Sequence, residues 1–131
     1  MKWKNKQKVL ILCSRGVTHQ HRFLYNDILR LIPHAKKESK IDKTGYSKTI
    51  NVVAELHGCT TGLYFEARRK MLNIWAMGFP DGPSVKFYIH NIHTSGDLSM
   101  TGNSILYSRP VITFDANFNT PHLKLVRELL L

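Results

Sequence analysis

The sequence predicts an α/β fold, an α+β sandwich built on a mixed sheet with helices mainly on one of its faces. Three observations carry that expectation. A continuous apolar run, "KVLILCS" at 8–14, passes through a Ser-Arg-Gly turn into a segment with helical spacing. A second helical segment then leads into the alternating run "TTGLYFEAR". Past residue 70 the texture changes to two β-type runs and a closing helix. The order βα, αβ, β-meander, helix is that of helices layered on a sheet. The 131 residues suit one domain, 1–131, large enough to bury a core.

Each element has a local cause. "KVLILCS" is apolar at both parities, so it reads as a strand covered on both faces. Thr18 can cap a helix running to Ile32, with Leu24, Ile28, Leu31 and Ile32 inward. Pro33 ends it, because the residue before proline avoids the helical region. "HAKKESKIDKTGYSK" (34–48) is polar and lysine-rich and reads as a surface loop. A second helix is expected from about Ser47 to His57, with Ile50, Val53, Ala54 and Leu56 inward and Gly58 at its C-terminal cap. In the strand that follows, Leu63, Phe65 and Ala67 alternate with Tyr64, Glu66 and Arg68. "MLNIWAMGF" and "SVKFYIHNI" flank "PDGP", whose prolines and glycine dictate the turn of a hairpin. "SGDLSMTGNS" (95–104) is a loop, and "PVITFDA" (110–116) reads as a last short strand. Thr120 and Pro121 open a final helix with Leu123, Val126, Leu129 and Leu130 on one face. Its uncapped leucine end reads as that of a fragment whose other half would cover that face.

Net charge is +10, and the excess is lopsided. Residues 1–48 hold twelve Lys and Arg against Asp27, Glu38 and Asp42, while residues 49–131 hold seven against six. Clustered charge of this kind favours an anionic partner, with nucleic acid ahead of an anionic membrane and of a merely solubilising surface. No run approaches the roughly 20 apolar residues that span a bilayer, so the chain is expected to be soluble and intracellular, with no membrane partner. Cys13 and Cys59 form no CxxC pair and no metal spacing.

Three chemistries compete for the stretch "CSRGVTHQHRFL" at 13–24. A cysteine before a strand-to-helix turn suggests a phosphatase-like nucleophile. That pattern needs an arginine six residues on, where this chain has His19, so Cys13 reads as a buried strand-end thiol. Seven histidines supply no HExxH and no Cys/His array, so no metal is expected, and the absence of glycine-rich phosphate loops leaves no expected cofactor. What remains is a basic surface. Arg15, His19, Arg22 and Arg30 border the first helix, and Lys36, Lys37, Lys40 and Lys43 continue past it. On "VKFYIHN", Lys86, Tyr88 and His90 share one face, which suits backbone contacts and base stacking. Arg109 completes the candidates for RNA contact. The competing reading is an interaction scaffold whose basic face meets acidic proteins.

Several segments also resemble the Brix-domain family of eukaryotic ribosome-assembly factors. They are "SRG" (14–16), "LRLIPHAKKESKID" (29–42), "LYFEARRK" (63–70), "GPSVKFYIHNIHT" (82–94), "MTGNSILYSRPVITFD" (100–115) and "LKLVRELLL" (123–131), in family order. The resemblance implies a nuclear, nucleolar protein that binds pre-ribosomal RNA during early large-subunit maturation and has no catalytic activity. It implies protein partners among other large-subunit assembly factors, including a coiled-coil nucleolar one, and no small-molecule substrate. The implied fold is a pair of α/β halves, each similar to an anticodon-binding domain, of which this chain holds the first half and the crossover. The RNA-contacting residues named above rest on charge and placement, not on the family.

Overall fold

The computed structural model describes residues 7–42, 44–99 and 111–131. Its first strand, β1 (Val9–Cys13), is flanked in parallel by β2 (Ala35–Lys37) on one side and β3 (Thr61–Arg68) on the other. Beyond β3 the sheet continues antiparallel through β4 (Met71–Gly78) and β5 (Ser84–Ile89), giving the order β2-β1-β3-β4-β5. Leu10, Ile11 and Leu12 are fully buried, as a strand apolar at both parities requires.

The sheet is mixed, and its helices lie mainly on one face, as expected: α2 alone of the three packs on the other. On one side Ile11 and Cys13 pack with Phe65, Ala67 and Leu72 beneath α1 (His19–Leu31), whose Tyr25 is buried. On the other, Leu10, Leu12 and Tyr64 pack beneath α2 (Tyr46–His57), through Ile50 and Ala54. The reason is topological. The β1-α1-β2 crossover runs one way along the sheet, and β2-α2-β3 runs back over β1. Two right-handed crossovers in opposite directions place their helices on opposite faces. The third helix, α3 (Pro121–Leu130), returns to the α1 side. There Leu129 Cδ1 lies 3.7 Å from the position a Cβ on Gly78 would take.

Other differences are local. The lysine-rich segment expected as a loop contains β2, a three-residue edge strand whose polarity is that of a protected sheet edge. Of the residues expected inward on α1, Leu24, Ile28 and Ile32 pack against the core, whereas Leu31 is exposed; His21 and Tyr25 are the most deeply buried of the helix. Leu56 of α2 also faces solvent. Residues 111–115 form no strand; Asp115 instead accepts a hydrogen bond from the Asn117 N–H and turns the chain into a 3-10 turn, Ala116–Asn119. Pro110, the start of that expected strand, lies outside the described residues.

The caps at Thr18 and Gly58 behave as the sequence suggests. The Thr18 hydroxyl accepts from the His21 N–H at 3.4 Å, and Gly58 closes α2 with φ +61°, a conformation that favours glycine. After β5 the chain folds across α1. Ile92 O accepts from Gln20 Nε2, and the Asp27 carboxylate accepts from the Ser95 N–H and hydroxyl at 2.8 and 2.7 Å. No helix among the described residues is long and apolar enough to cross a membrane.

One charge sits inside the sheet. Glu66, 2% exposed, accepts hydrogen bonds from Arg68 Nε (2.9 Å), Trp75 Nε1 (3.3 Å) and Asn73 Nδ2 (3.4 Å), and Lys86 Nζ stands 3.7 Å away. Burial pushes its carboxyl up, but the donors from Trp75, Arg68 and Asn73 and the charge of Arg68 outweigh it, leaving it below its ordinary 4.5. A depressed folded value adds stability that is complete above the unfolded value and is lost as pH falls through the folded one. Urea unfolding should therefore show an acid-side loss of stability below about pH 4.5 that Glu66→Gln flattens. Glu66→Ala, which strands the Trp75 and Asn73 donors, should cost about 2 kcal/mol at neutral pH; an unchanged midpoint would contradict this account.

Candidate nucleic-acid interface

The same topology builds a crevice. The loop leaving β1 leads to α1 on one face, and the loop leaving β2 leads to α2 on the other, so the carboxyl ends of β1 and β2 part. In open α/β sheets such divergence is where ligands bind. Here it encloses about 240 Å³, lined by Cys13, Val17, Arg22, Tyr25, Asn26, Lys37, Glu38, Ser39 and Lys40.

Backbone bonds fix its walls. Ser14 Oγ accepts from the Ala67 N–H at 2.9 Å, pinning the end of β1 to β3. Glu38 N–H donates to Ile11 O and Ile41 N–H to Cys13 O, so the chain is tied to β1 at both points and Ser39 and Lys40 bow out between them. Such bulges re-aim side chains beside functional sites. The Tyr25 ring is held edge-on to Phe65 at 5.4 Å, while its hydroxyl donates to Ile11 O at 3.4 Å. Lys37 Nζ lies 5.8 Å from the centre of that ring.

The crevice is cationic because its one carboxylate is engaged elsewhere. Glu38 Oε2 meets His57 Nε2 at 2.8 Å, and its Oε1 accepts from the Ser39 N–H. The Ser39 N–H, followed by His57, holds Glu38 below the usual carboxylate range. Burial pushes the Cys13 thiol above its ordinary 9.0, although Lys40, Lys37 and Arg22 pull it down, in that order. The three cations therefore converge on the end of β1, and the thiol remains a weak nucleophile.

The predicted contact residues divide into separate groups. Arg22, Lys37 and Lys40 come together at the crevice. Arg15 is next to it, exposed and paired with exposed Asp42 at 3.0 Å, a contact easily exchanged for another anion. His19 begins α1 with its ring edge-on to Phe23, 4.7 Å between centroids. Arg30 is at the far end of α1, about 12 Å along the helix from Arg22. Lys36 points to the α2 side, since its neighbour in the strand, Lys37, shares the parity of Ile11. Lys86 is held by Glu66 and lies 5.3 Å from the ring centres of Trp75 and of Tyr88, the latter 60% exposed. That patch is four strands from β2, roughly 19 Å across the sheet. Lys43 and Arg109 lie outside the described residues. Asn26 shares the four-residue spacing of Arg22 and Arg30, a polar stripe along the helix, whereas Tyr25 and Ser39 were not singled out from sequence; the spacing of Tyr25 from His21 and Ile28 was the available signal for it.

The structure is that of a small basic α/β module with three of its cations gathered where two strands part. Its family follows from comparison with known proteins. The Brix domain model matches residues 14–131, and the chain belongs to the Brix-domain family. It is 48% identical over 127 residues to the ribosome biogenesis protein brx1 of Schizosaccharomyces pombe, covering 95% of this chain and 43% of that protein. Similarity to the ribosome biogenesis protein BRX1 of Saccharomyces cerevisiae is 45% identity over 96% of this chain and 44% of that one. For the human BRX1 homolog the figures are 44%, 99% and 37%. The chain thus spans less than half the length of these relatives. The crystal structure of a probable ribosomal biogenesis protein from Aeropyrum pernix K1 superimposes with a TM-score of 0.54 at 18% identity, over 74% of this chain and 58% of that one, and shares the fold.

The convergence of cations is open to measurement through the thiol. In a Cys59→Ser background, replacing Lys37 and Lys40 with Ala should raise the midpoint of Cys13 thiolate titration, since both residues favour the charged form. An unmoved midpoint would place the ammonium groups away from the crevice.

Proposed function

We propose that this chain is an RNA-gripping module of a ribosome biogenesis factor, binding pre-ribosomal RNA during assembly of the large subunit in the nucleus and nucleolus. The observation that carries the reading is the gathering of Arg22, Lys37 and Lys40 at one crevice with Arg15 beside it. The names of its relatives give that surface its context. Most of the affinity comes from phosphates, with Tyr88, Lys86 and His19 as outlying contacts and Arg30 and Lys36 extending the basic field. The module acts without catalysis of its own: the sequence holds no nucleophile pattern, and burial keeps the Cys13 thiol protonated.

A second reading concerns protein partners. The outer edge of β5 pairs with nothing among the described residues, and α3 exposes Leu125, Leu130 and Leu131. An open strand edge and exposed apolar side chains each suit another assembly factor, including a coiled-coil one. Retention of partners after ribonuclease digestion would favour this reading over a purely RNA-mediated association.

Binding to pre-rRNA fragments should weaken steeply with salt. Arg15→Ala with Arg22→Ala should lower affinity roughly tenfold and make the salt slope shallower by about two, since each removes a phosphate contact. Both side chains are exposed, so the thermal midpoint should stay put. A flat salt titration, or normal binding by the double variant, would refute the phosphate grip.

A further inference from the structure

The crevice differs from a plain phosphate site in one respect: its cations stand at the rim, and its floor is apolar. Cys13, Val17 and Tyr25 form that floor and are each buried, while Arg22, Lys37 and Lys40 surround the opening. A phosphate seated at the bottom would face a thiol, an isopropyl group and an aromatic ring, with nothing there to hydrogen-bond its oxygens. The volume of about 240 Å³ is below the roughly 300–1,000 Å³ of sites for drug-sized ligands. It has room for one planar ring system and not for a sugar and phosphate besides.

We propose that this crevice receives a single unstacked base of the bound RNA, laid against Val17 and Tyr25, while the phosphates on either side of it rest on Arg22, Lys37 and Lys40. Asn26 also lines the crevice and supplies a donor and an acceptor for the edge of the base, and the Ser39 hydroxyl, which donates to Glu38 Oε1 at 3.3 Å, keeps its oxygen as an acceptor. The inference rests on the RNA reading and refines it from a backbone grip to recognition of a bulge or loop, the form in which proteins read RNA sequence. The floor is rigid enough for that task. The Tyr25 ring is fixed by Phe65 and by its bond to Ile11 O, and the bulge carrying Ser39 and Lys40 is tied to β1 at both ends.

The test uses the intact chain and three RNA hairpins: one with a single-nucleotide bulge, one with an abasic site at that bulge, and one fully paired. Loss of the base should weaken binding roughly tenfold, the usual scale for one base on an apolar platform. The abasic and fully paired hairpins should then bind alike. In parallel, 4-thiouridine at the bulge should crosslink to the segment containing Val17 or Tyr25, a measurement that needs no variant. Adenosine monophosphate at millimolar concentration should fail to compete, because a free nucleotide lacks the second flanking phosphate. Equal affinity for the base-bearing and abasic bulges, or crosslinks only outside the crevice, overturns the proposal while steep salt dependence still upholds RNA binding. Binding of none of the three hairpins removes the RNA reading itself. Efficient competition by adenosine monophosphate would show a free-nucleotide site and also overturn the proposal.

Discussion

The structure depends on β1 having parallel neighbours on both sides. Parallel strands cannot be joined by a tight turn, so each neighbour requires a crossover, and the two crossovers travel in opposite directions along the sheet. Helices α1 and α2 are thereby forced to opposite faces, and β1 must be apolar at both parities to meet them. The crevice is a by-product of the same geometry, since the loops following β1 and β2 have to diverge. Its position is set by strand order, and its chemistry by what the diverging loops carry.

Those loops carry charge that the fold leaves unpaired. The first 48 residues contain three carboxylates, and each is committed elsewhere. Asp27 holds Ser95, Glu38 turns to His57 and Ser39, and Asp42 pairs with Arg15. Among the described residues no carboxylate comes within ion-pair distance of Arg22, Lys37 or Lys40. The opposite arrangement governs the other patch, where Glu66 gathers Arg68, Lys86, Trp75 and Asn73 into a neutralised network. Lys86 therefore braces the sheet, its charge already engaged by Glu66.

This contrast explains what was legible in the sequence. Strands β1, β3, β4 and β5, all three helices and the hairpin were readable, because periodicity, Thr18, Gly58 and Pro121 act locally. The three-residue strand β2 was not, because an edge strand is polar by necessity and its partner is supplied by tertiary structure. Which of the helices would stand apart from the others was not legible either, because it depends on strand order, which no local pattern encodes. The cations of the site were legible as residue types, yet nothing local could say that Lys37 faces Tyr25 while Lys36 turns to the other side of the sheet. Nor could alternation on β5 reveal that Lys86 answers a buried glutamate two strands away. Of the other polar lining residues, Asn26 was legible only as part of a polar stripe with Arg22 and Arg30, and Ser39 carried no signal, being an ordinary surface type until the bulge brings it beside the helix.

The thiol at the base of the crevice sharpens what the cations are for. A cysteine at a strand-to-helix turn with three cations in range has the electrostatics of a reactive nucleophile. Here burial wins, and the thiol sits above its ordinary value despite all three. The reason is geometric: Cys13 is buried in the core with Val17 and Tyr25, whereas Arg22, Lys37 and Lys40 are exposed, and water weakens their hold on the sulfur. A field placed at a rim acts on whatever arrives from outside more than on what is buried beneath it. The arrangement suits an incoming polyanion with an apolar ring to bury, and it leaves Cys13 as packing.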